Sequence, residues 1–398
     1  MMLKDTIMEI AKSQKIQLNK QEIGITRELL KKIELNVPHA IIISGIRRCG
    51  KSTLLKQIIN QMKNYYYFNF EDQRCLNFEV TDFEKLNEVF NELYGKSDYY
   101  FMDEIQNISG WERYVRKMQD QGKKFFITGS NASLLSKELG TKLTGRHITK
   151  ELFPFSYKEM LKFTNQKAAL SSFESYLKRG GFPDYLKYKK DEILQEVFKD
   201  ILLRDIVVRY GLRNSKLISR LAEYLTTNSG KEFSYNKLKK YFNFGSTNSV
   251  ISYISYFEES YLMFTVQKFD YSMKRQMVNP KKIYPIDTGL ARVNSVSFTK
   301  DKGRMLENVV FIALKEKNQE IFYFKGKGEC DFLVKDKEKI IQAIQVCYEL
   351  NEDNKERETA GLREAMKKFN LRKGTILTMN QEDKLDGIEI VPVWKWLD

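Results

Sequence analysis

The sequence predicts an α/β protein led by a doubly wound parallel sheet, and three observations predict it. The run AIIISG at 40–45 is uninterruptedly apolar, as in a strand covered on both faces, and passes through a glycine-rich loop into the amphipathic pattern STLLKQIINQM. Three more apolar or aromatic runs follow, NYYYFNF, DYYFMDE and KKFFITGS, each separated from the next by enough chain for a crossover helix. A length of 398 residues exceeds a single typical domain, so further cores are expected downstream.

Taken in order, the first twenty residues read as a short polar helix, and ITRELLKKIEL places apolar residues at helical spacing ahead of the first strand. Residues 1–151 thus form the sheet-bearing core. Residues 152–213 carry the helical patterns YKEMLKF, FESYLKR and EILQEVFKDILLRDIVVRY around a break at Gly180 and Gly181, and read as a helical lid. Residues 214–290 give three helical patterns and the strand LMFTVQKF, the order of a winged-helix module. Residues 291–398 return to alternating elements, with a helix at MLENVVFIALKEK and strands at IFYFK, CDFLVK, KIIQAIQVCYEL, GTILTM and IEIVPVW, a second and smaller α/β domain.

Composition bounds the function. Sixty-seven basic residues stand against 52 acidic ones, and the resulting charge of +15 is spread along the chain, which favours polyanionic partners with nucleic acid first among them. Cys49, Cys75, Cys330 and Cys347 lack the paired spacing of a zinc or redox site and read as free thiols. The charged start MMLKDTIMEIAKSQKIQLNK is unlike a secretory signal, and no later stretch approaches the length of a membrane span, so a cytoplasmic location without membrane association is expected.

The chemistry is concentrated in GIRRCGKS at 45–52, which has the GxxxxGK[ST] spacing between a buried-type strand and a helix. In such a loop Gly45 and Gly50 let the backbone of Ile46, Arg47, Arg48 and Cys49 curl around phosphates with its N–H groups inward, at a helix N-terminus that favours anions. Lys51 then serves the β- and γ-phosphates of ATP, Ser52 ligates Mg2+, and Thr53 is the next helical residue. DYYFMDE ends its apolar run in Asp103 and Glu104 at the carboxyl edge of a strand, where open α/β sheets bind ligands. Asp103 is the second magnesium residue and Glu104 the one that orients the attacking water. Ser130 and Asn131, which follow the apolar run of KKFFITGSN, are the candidates for sensing the γ-phosphate.

Through GIRRCGKST, FMDEIQN and ITGSNASLL the chain resembles the AAA-type branch of P-loop ATPases. More narrowly, LTGRHITKELFPFSYKEML, YLKRGGFPDYL and RDIVVRYGLRN resemble a bacterial and archaeal ATPase family that joins such a core to a C-terminal domain of unknown function. The resemblance implies an arginine supplied to the γ-phosphate, often by a neighbouring subunit of a homo-oligomer. Arg146 is the first candidate, with Arg179 and Arg209 as alternatives.

In the winged-helix reading the third helix starts near Thr247, Asn248 and Ser249, residues suited to capping as well as to DNA, and Lys268, Lys274, Arg275, Lys281 and Lys282 flank the strand where a wing would touch phosphate. The terminal domain resembles a restriction-endonuclease-like fold, through Glu307 on a helix and Asp331 on a strand. Active members of that fold end the next strand in an acid and a lysine, whereas this chain has Gln345, Val346 and Cys347. A neutral amide is a weaker magnesium ligand and an ordinary thiol carries no positive charge near neutrality, so a domain without nuclease activity is expected, with Glu329 and Glu349 as acids that would rescue a metal site by shifting the ligand set. Together these readings predict a Mg2+-dependent ATPase coupled to DNA. A nucleotide-controlled protein-binding switch and an ATP-licensed nuclease are the alternatives.

Overall fold

The computed structural model describes residues 1–130, 145–295 and 301–398, which divide into two compact units, residues 1–152 and 153–398. In the first, five parallel strands, β1 (Ala40–Ser44), β2 (Tyr66–Asn69), β3 (Tyr99–Asp103), β4 (Lys124–Gly129) and β5 (His147–Glu151), lie in the order β2-β3-β4-β1-β5. All five residues of β1 are buried, as its apolar run requires at an interior position of a sheet covered on both faces. Helices α2 (Lys51–Ile59), α3 (Asp82–Tyr94) and α4 (Trp111–Asp120) are the crossovers.

The N-terminal helix, α1 (Lys4–Lys20), belongs to this unit: Ile7, Ile10, Ala11 and Leu18 are buried on one face at spacings of three, one and seven residues. The expected helix over ITRELLKKIEL shrinks to a 3-10 turn at Glu28–Lys32. Tertiary hydrogen bonds win over its periodicity, because the Gln57 carboxamide donates to the carbonyls of Ile23 and Ile25 and accepts the Arg27 N–H, holding that stretch extended along α2.

The second unit opens with the helices α5 (Tyr157–Thr164), α6 (Leu170–Arg179), α7 (Pro183–Tyr188) and α8 (Asp191–Asp200), the last running on as a π-helix over Ile201–Val208. The RGG motif has a packing cause. Gly180 has φ +70°, a Cβ there would lie 2.1 Å from the Asp287 carboxylate, and that buried carboxylate accepts the N–H groups of Gly181 and Leu290.

Residues 215–398 share one nine-stranded sheet, in the order β13-β14-β12-β11-β10-β9-β7-β8-β6. Helices α9 (Ser215–Thr227), α10 (Tyr235–Tyr241) and α11 (Thr247–Glu259) precede β7 (Met263–Lys268), a short helix α12 (Met273–Val278) and β8 (Lys281–Pro285), with β6 (Glu232–Phe233) at the sheet edge. After α13 (Thr288–Val293), α14 (Lys302–Glu316) leads into antiparallel β9 (Glu320–Lys325), β10 (Glu329–Asp336) and β11 (Lys339–Val346). Helix α15 (Glu352–Phe369) crosses over to β12 (Gly374–Thr378), parallel to β11, and β14 (Ile388–Pro392) continues the parallel part, with β13 (Asp383–Leu385) outermost and α16 (Val393–Leu397) last. All four cysteines are buried free thiols, and among the described residues no helix is long and apolar enough to cross a membrane.

Candidate functional site

Strand β1 ends at Ser44, and residues 45–50 turn the chain into α2. Gly50 makes this turn with φ +99° and Arg48 with φ +62°, so that Lys51 and Ser52 are the first two residues of the helix. Ile46 and Cys49 are buried beneath the loop, the Cys49 thiol donating to the Leu152 carbonyl, while Arg47 pairs with Glu71 at 3.1 Å. Thr53 is half-buried on the first turn.

Lys51, 5 % exposed, directs its ammonium at the carbonyls of Gly45 (3.1 Å) and Ile46 (3.2 Å) and lies 3.7 Å from a Glu104 carboxylate oxygen. The Ser52 hydroxyl is hydrogen-bonded to Asp103. Consecutive residues at the start of α2 therefore meet consecutive residues at the end of β3. In a straight strand Asp103 and Glu104 would point to opposite faces; the left-handed backbone of Glu104, φ +53°, turns its side chain toward Lys51.

Asp103 is 1 % exposed and accepts from the Thr128 hydroxyl and, at 3.3 Å, from the Tyr67 hydroxyl. Burial, followed by the charge of Glu104, pushes its pKa from the ordinary 3.8 to about 6 against the hydrogen bonds from Thr128 and Ser52. Thr128 also accepts the Glu104 N–H at 3.0 Å, and Gln106 donates to the Glu104 carboxylate. A cavity of about 490 Å³ opens beside Ser52 and Asp103, walled by Tyr67, Asn69, Asp72 and residues of α1.

Four residues of this site escape sequence reasoning. Thr128 and Tyr67 lie inside apolar runs, and their signal is a hydroxyl where only packing is needed. Gln106 follows the DE pair by two residues. Arg27, 3 % exposed, donates at 2.7 Å to the Cys49 carbonyl and lies beneath Gly50; twenty-two residues separate it from its partner, and nothing local marks it. Ser130 is buried just past β4, and Asn131 lies outside the described residues.

Arg146 does not join the site of its own chain. It precedes β5 where His147 pairs with Ala40, the opposite end of β1 from the loop and roughly 16 Å of strand away at about 3.3 Å per residue. Its guanidinium pairs with Asp120. Arg179 and Arg209 belong to the second unit.

In that unit the cap of α11 is Ser246, which accepts the Ser249 N–H, and Thr247 bonds to Asn236 instead. Lys268 is half-buried, and Lys274 and Arg275 are exposed, but Lys281 and Lys282 are not wing residues: both are buried on β8. The Lys281 ammonium donates to the carbonyls of Gln276 and Met277, while that of Lys282 lies among Glu307, Glu329 and Asp331. Burial opposes the charge on Lys282, yet Asp331 and Glu307 together hold its pKa well above the ordinary lysine value. Burial, then the Asp331 charge, raises Glu307 to about 7. The Cys347 thiol, raised by burial and then by Glu358 to about 11, donates to the Glu349 carbonyl.

Residues 37–161 match the model of a family described as an AAA domain, and residues 170–300 match one described as a domain of unknown function, DUF8612. An uncharacterized protein of Methanocaldococcus jannaschii, MJ1544, is 37% identical over 98% of this chain and 92% of its own. An uncharacterized protein of Haemophilus influenzae is 30% identical over 89% of this chain and 93% of its own. Among solved structures, the Walker-type ATPase PABY2304 of Pyrococcus abyssi aligns with 65% of this chain and 91% of its own at 15% identity and a TM-score of 0.42.

Proposed function

Because this chain belongs to one family with the uncharacterized protein MJ1544 of Methanocaldococcus jannaschii and its residues 37–161 match an AAA domain, we propose that it is a magnesium-dependent ATPase whose turnover drives or switches a conformational change coupled to DNA. One observation carries the hydrolysis: Lys51 meets Glu104 and Ser52 meets Asp103, so the phosphate-binding and water-orienting residues are already neighbours. The Lys51 ammonium is held by two neutral carbonyls and a carboxylate 3.7 Å away, partners it can exchange for phosphate oxygens. Glu104, steered by Gln106 and by the Thr128 bond to its backbone, is the group that orients water.

The donor set fits magnesium. A hydroxyl and a buried carboxylate with a raised pKa stand together at the wall of a polar cavity, the hard oxygen ligands that this ion takes alongside water and phosphate. When bound there, the ion would neutralise phosphate charge. An arginine finger, if Arg146 supplies it, comes from another subunit, because in its own chain this residue lies at the far end of the sheet.

The DNA part rests on the excess of basic residues and on the helices of 215–259, where Lys237, Lys240 and Asn248 are exposed and the Thr247–Asn236 bond ties α10 to α11. The downstream order α14-β9-β10-β11-α15-β12 supports a nuclease-like domain, one that does not cleave because Gln345 and Cys347 stand where an acid and a lysine are needed. A protein-directed switch is the second reading, favoured by the exposed apolar side chains of Tyr271, Met273, Met277 and Val278.

Phosphate release from MgATP, measured with and without duplex DNA for wild type, Lys51→Ala and Glu104→Gln, tests the proposal. Stimulation by DNA that falls with salt, and loss of turnover in both variants, is expected. Turnover indifferent to DNA transfers the reading to the protein-directed switch, and wild-type-like turnover in Glu104→Gln removes the assigned mechanism.

A further inference from the structure

Within residues 153–398 a cavity of about 620 Å³ is bordered by Glu307, Glu329, Asp331, Gln345 and Cys347. Lys282 reaches its acids from β8, with its ammonium 2.7 Å from Glu329, 2.9 Å from Asp331 and 3.1 Å from Glu307. An ammonium has three N–H donors, and here each has a carboxylate to itself. Tyr284, two residues on and therefore on the same strand face, donates to Glu307 at 2.6 Å.

We infer that Lys282 is a built-in cation, its ammonium holding the place among Glu307, Glu329 and Asp331 that a divalent ion would take and keeping catalytic metal out of this cavity. The inference rests on the proposed non-cleaving, nuclease-like reading and adds a second cause to the one that Gln345 and Cys347 supply. The three acids come from a helix and a strand that the nuclease-like order shares, but the lysine comes from β8, outside it. Carboxylates so close together need a positive charge, and Lys282, 3 % exposed, provides one that cannot diffuse away.

Gln345 is oriented by protein partners: its carbonyl oxygen accepts the Asp331 N–H at 3.2 Å and its amide donates to Glu358 at 2.7 Å. The second oxygen of Asp331 is likewise engaged, by the Val346 N–H at 3.0 Å. The carboxylates stand a few tenths of an ångström wider around Lys282 than the ~2.3–2.6 Å of calcium and well beyond the ~2.0–2.1 Å of magnesium. Emptied of the ammonium, the site should therefore prefer calcium or a lanthanide to magnesium.

Terbium titration of the full chain, read by tyrosine-sensitised emission, tests this with wild type, Lys282→Met and Lys282→Gln, each with and without Asp331→Asn. Only emission that Asp331→Asn removes is counted, which separates this site from the carboxylates of Asp103 and Glu104. Wild type should show none, and the Lys282 variants should bind at least about tenfold more tightly than wild type, with calcium displacing terbium better than magnesium does. If Lys282→Met does not fold alone, recovery of its melting transition by calcium is the same gain, and Lys282→Gln keeps a donor in place.

Asp331-dependent emission from wild type overturns the inference. So do folded Lys282 variants that bind no terbium, or variants that fold neither alone nor with calcium. Failure of the terbium gain in a chain that does not cut DNA removes this inference and leaves the non-cleaving reading standing. Metal-dependent cleavage by wild type that Asp331→Asn abolishes removes both.

Discussion

Replacing Asp103 with Asn should stabilise the first unit while abolishing turnover. The carboxyl is buried, and its folded-state pKa of about 6 lies above the ordinary 3.8, so the folded chain holds this proton more tightly than the unfolded chain. Stability from this group is then fully present below pH 3.8 and is lost as pH rises through about 6. At about 1.4 kcal/mol per pH unit the loss approaches 3 kcal/mol above neutrality. Asparagine, neutral throughout, avoids it; rearranging the bonds from Tyr67, Thr128 and Ser52 costs back about 1 kcal/mol. In metal-free buffer at pH 8 the variant should exceed wild type by about 1–3 kcal/mol, and at pH 4.5 the advantage should vanish. Urea unfolding followed by Trp111, with Trp394 and Trp396 replaced by Phe, reads residues 1–152 separately. Added MgATP should reverse the order, because only the carboxylate gains a cation. A variant no more stable at pH 8, or equally stabilised at both pH values, refutes burial as the source of the Asp103 shift.

Two further substitutions probe the supports of each unit. Thr128→Val removes the donor to Asp103 and the acceptor of the Glu104 N–H; turnover should drop by at least about tenfold, a loss of roughly 1.4 kcal/mol, and the acid limb of its pH profile should move to higher pH, whereas an unmoved limb would detach Thr128 from Asp103. Gly180→Ala drives a Cβ against Asp287 at φ +70°, so the transition of residues 153–398 should lose about 3 kcal/mol or more in calorimetry, and an unchanged transition would deny that the RGG motif is held by packing.

What could be read from the sequence is what is local in the chain. AIIIS, the glycine loop and the DE pair at the end of a strand each declare themselves within a few residues, and the parallel sheet follows from their order. Thr128, Tyr67 and Arg27 act through partners 22 to 36 residues away, and no periodicity encodes such contacts. Lys281 and Lys282 show the reverse failure. A basic pair after a turn reads as solvated, yet β8 is buried at all five positions, because carbonyls of α12 and acids from α14 and β10 receive the two ammonium groups. Only a pairing of distant charges would have disclosed this.

Two buried lysines thus carry opposite consequences, and their partners decide which. Both Lys51 and Lys282 lose most of their water, and a buried charge must be compensated. Lys51 is compensated weakly, by two neutral carbonyls and one carboxylate beyond hydrogen-bond length, so a phosphate oxygen offers its ammonium more than it already has. Lys282 has three carboxylates within 3.1 Å, and any incoming anion would have to displace one of them while facing the charge of the other two. The first arrangement is open to a ligand and the second is closed to one. Identical side chains at similar burial are thus held loosely in one unit and tightly in the other.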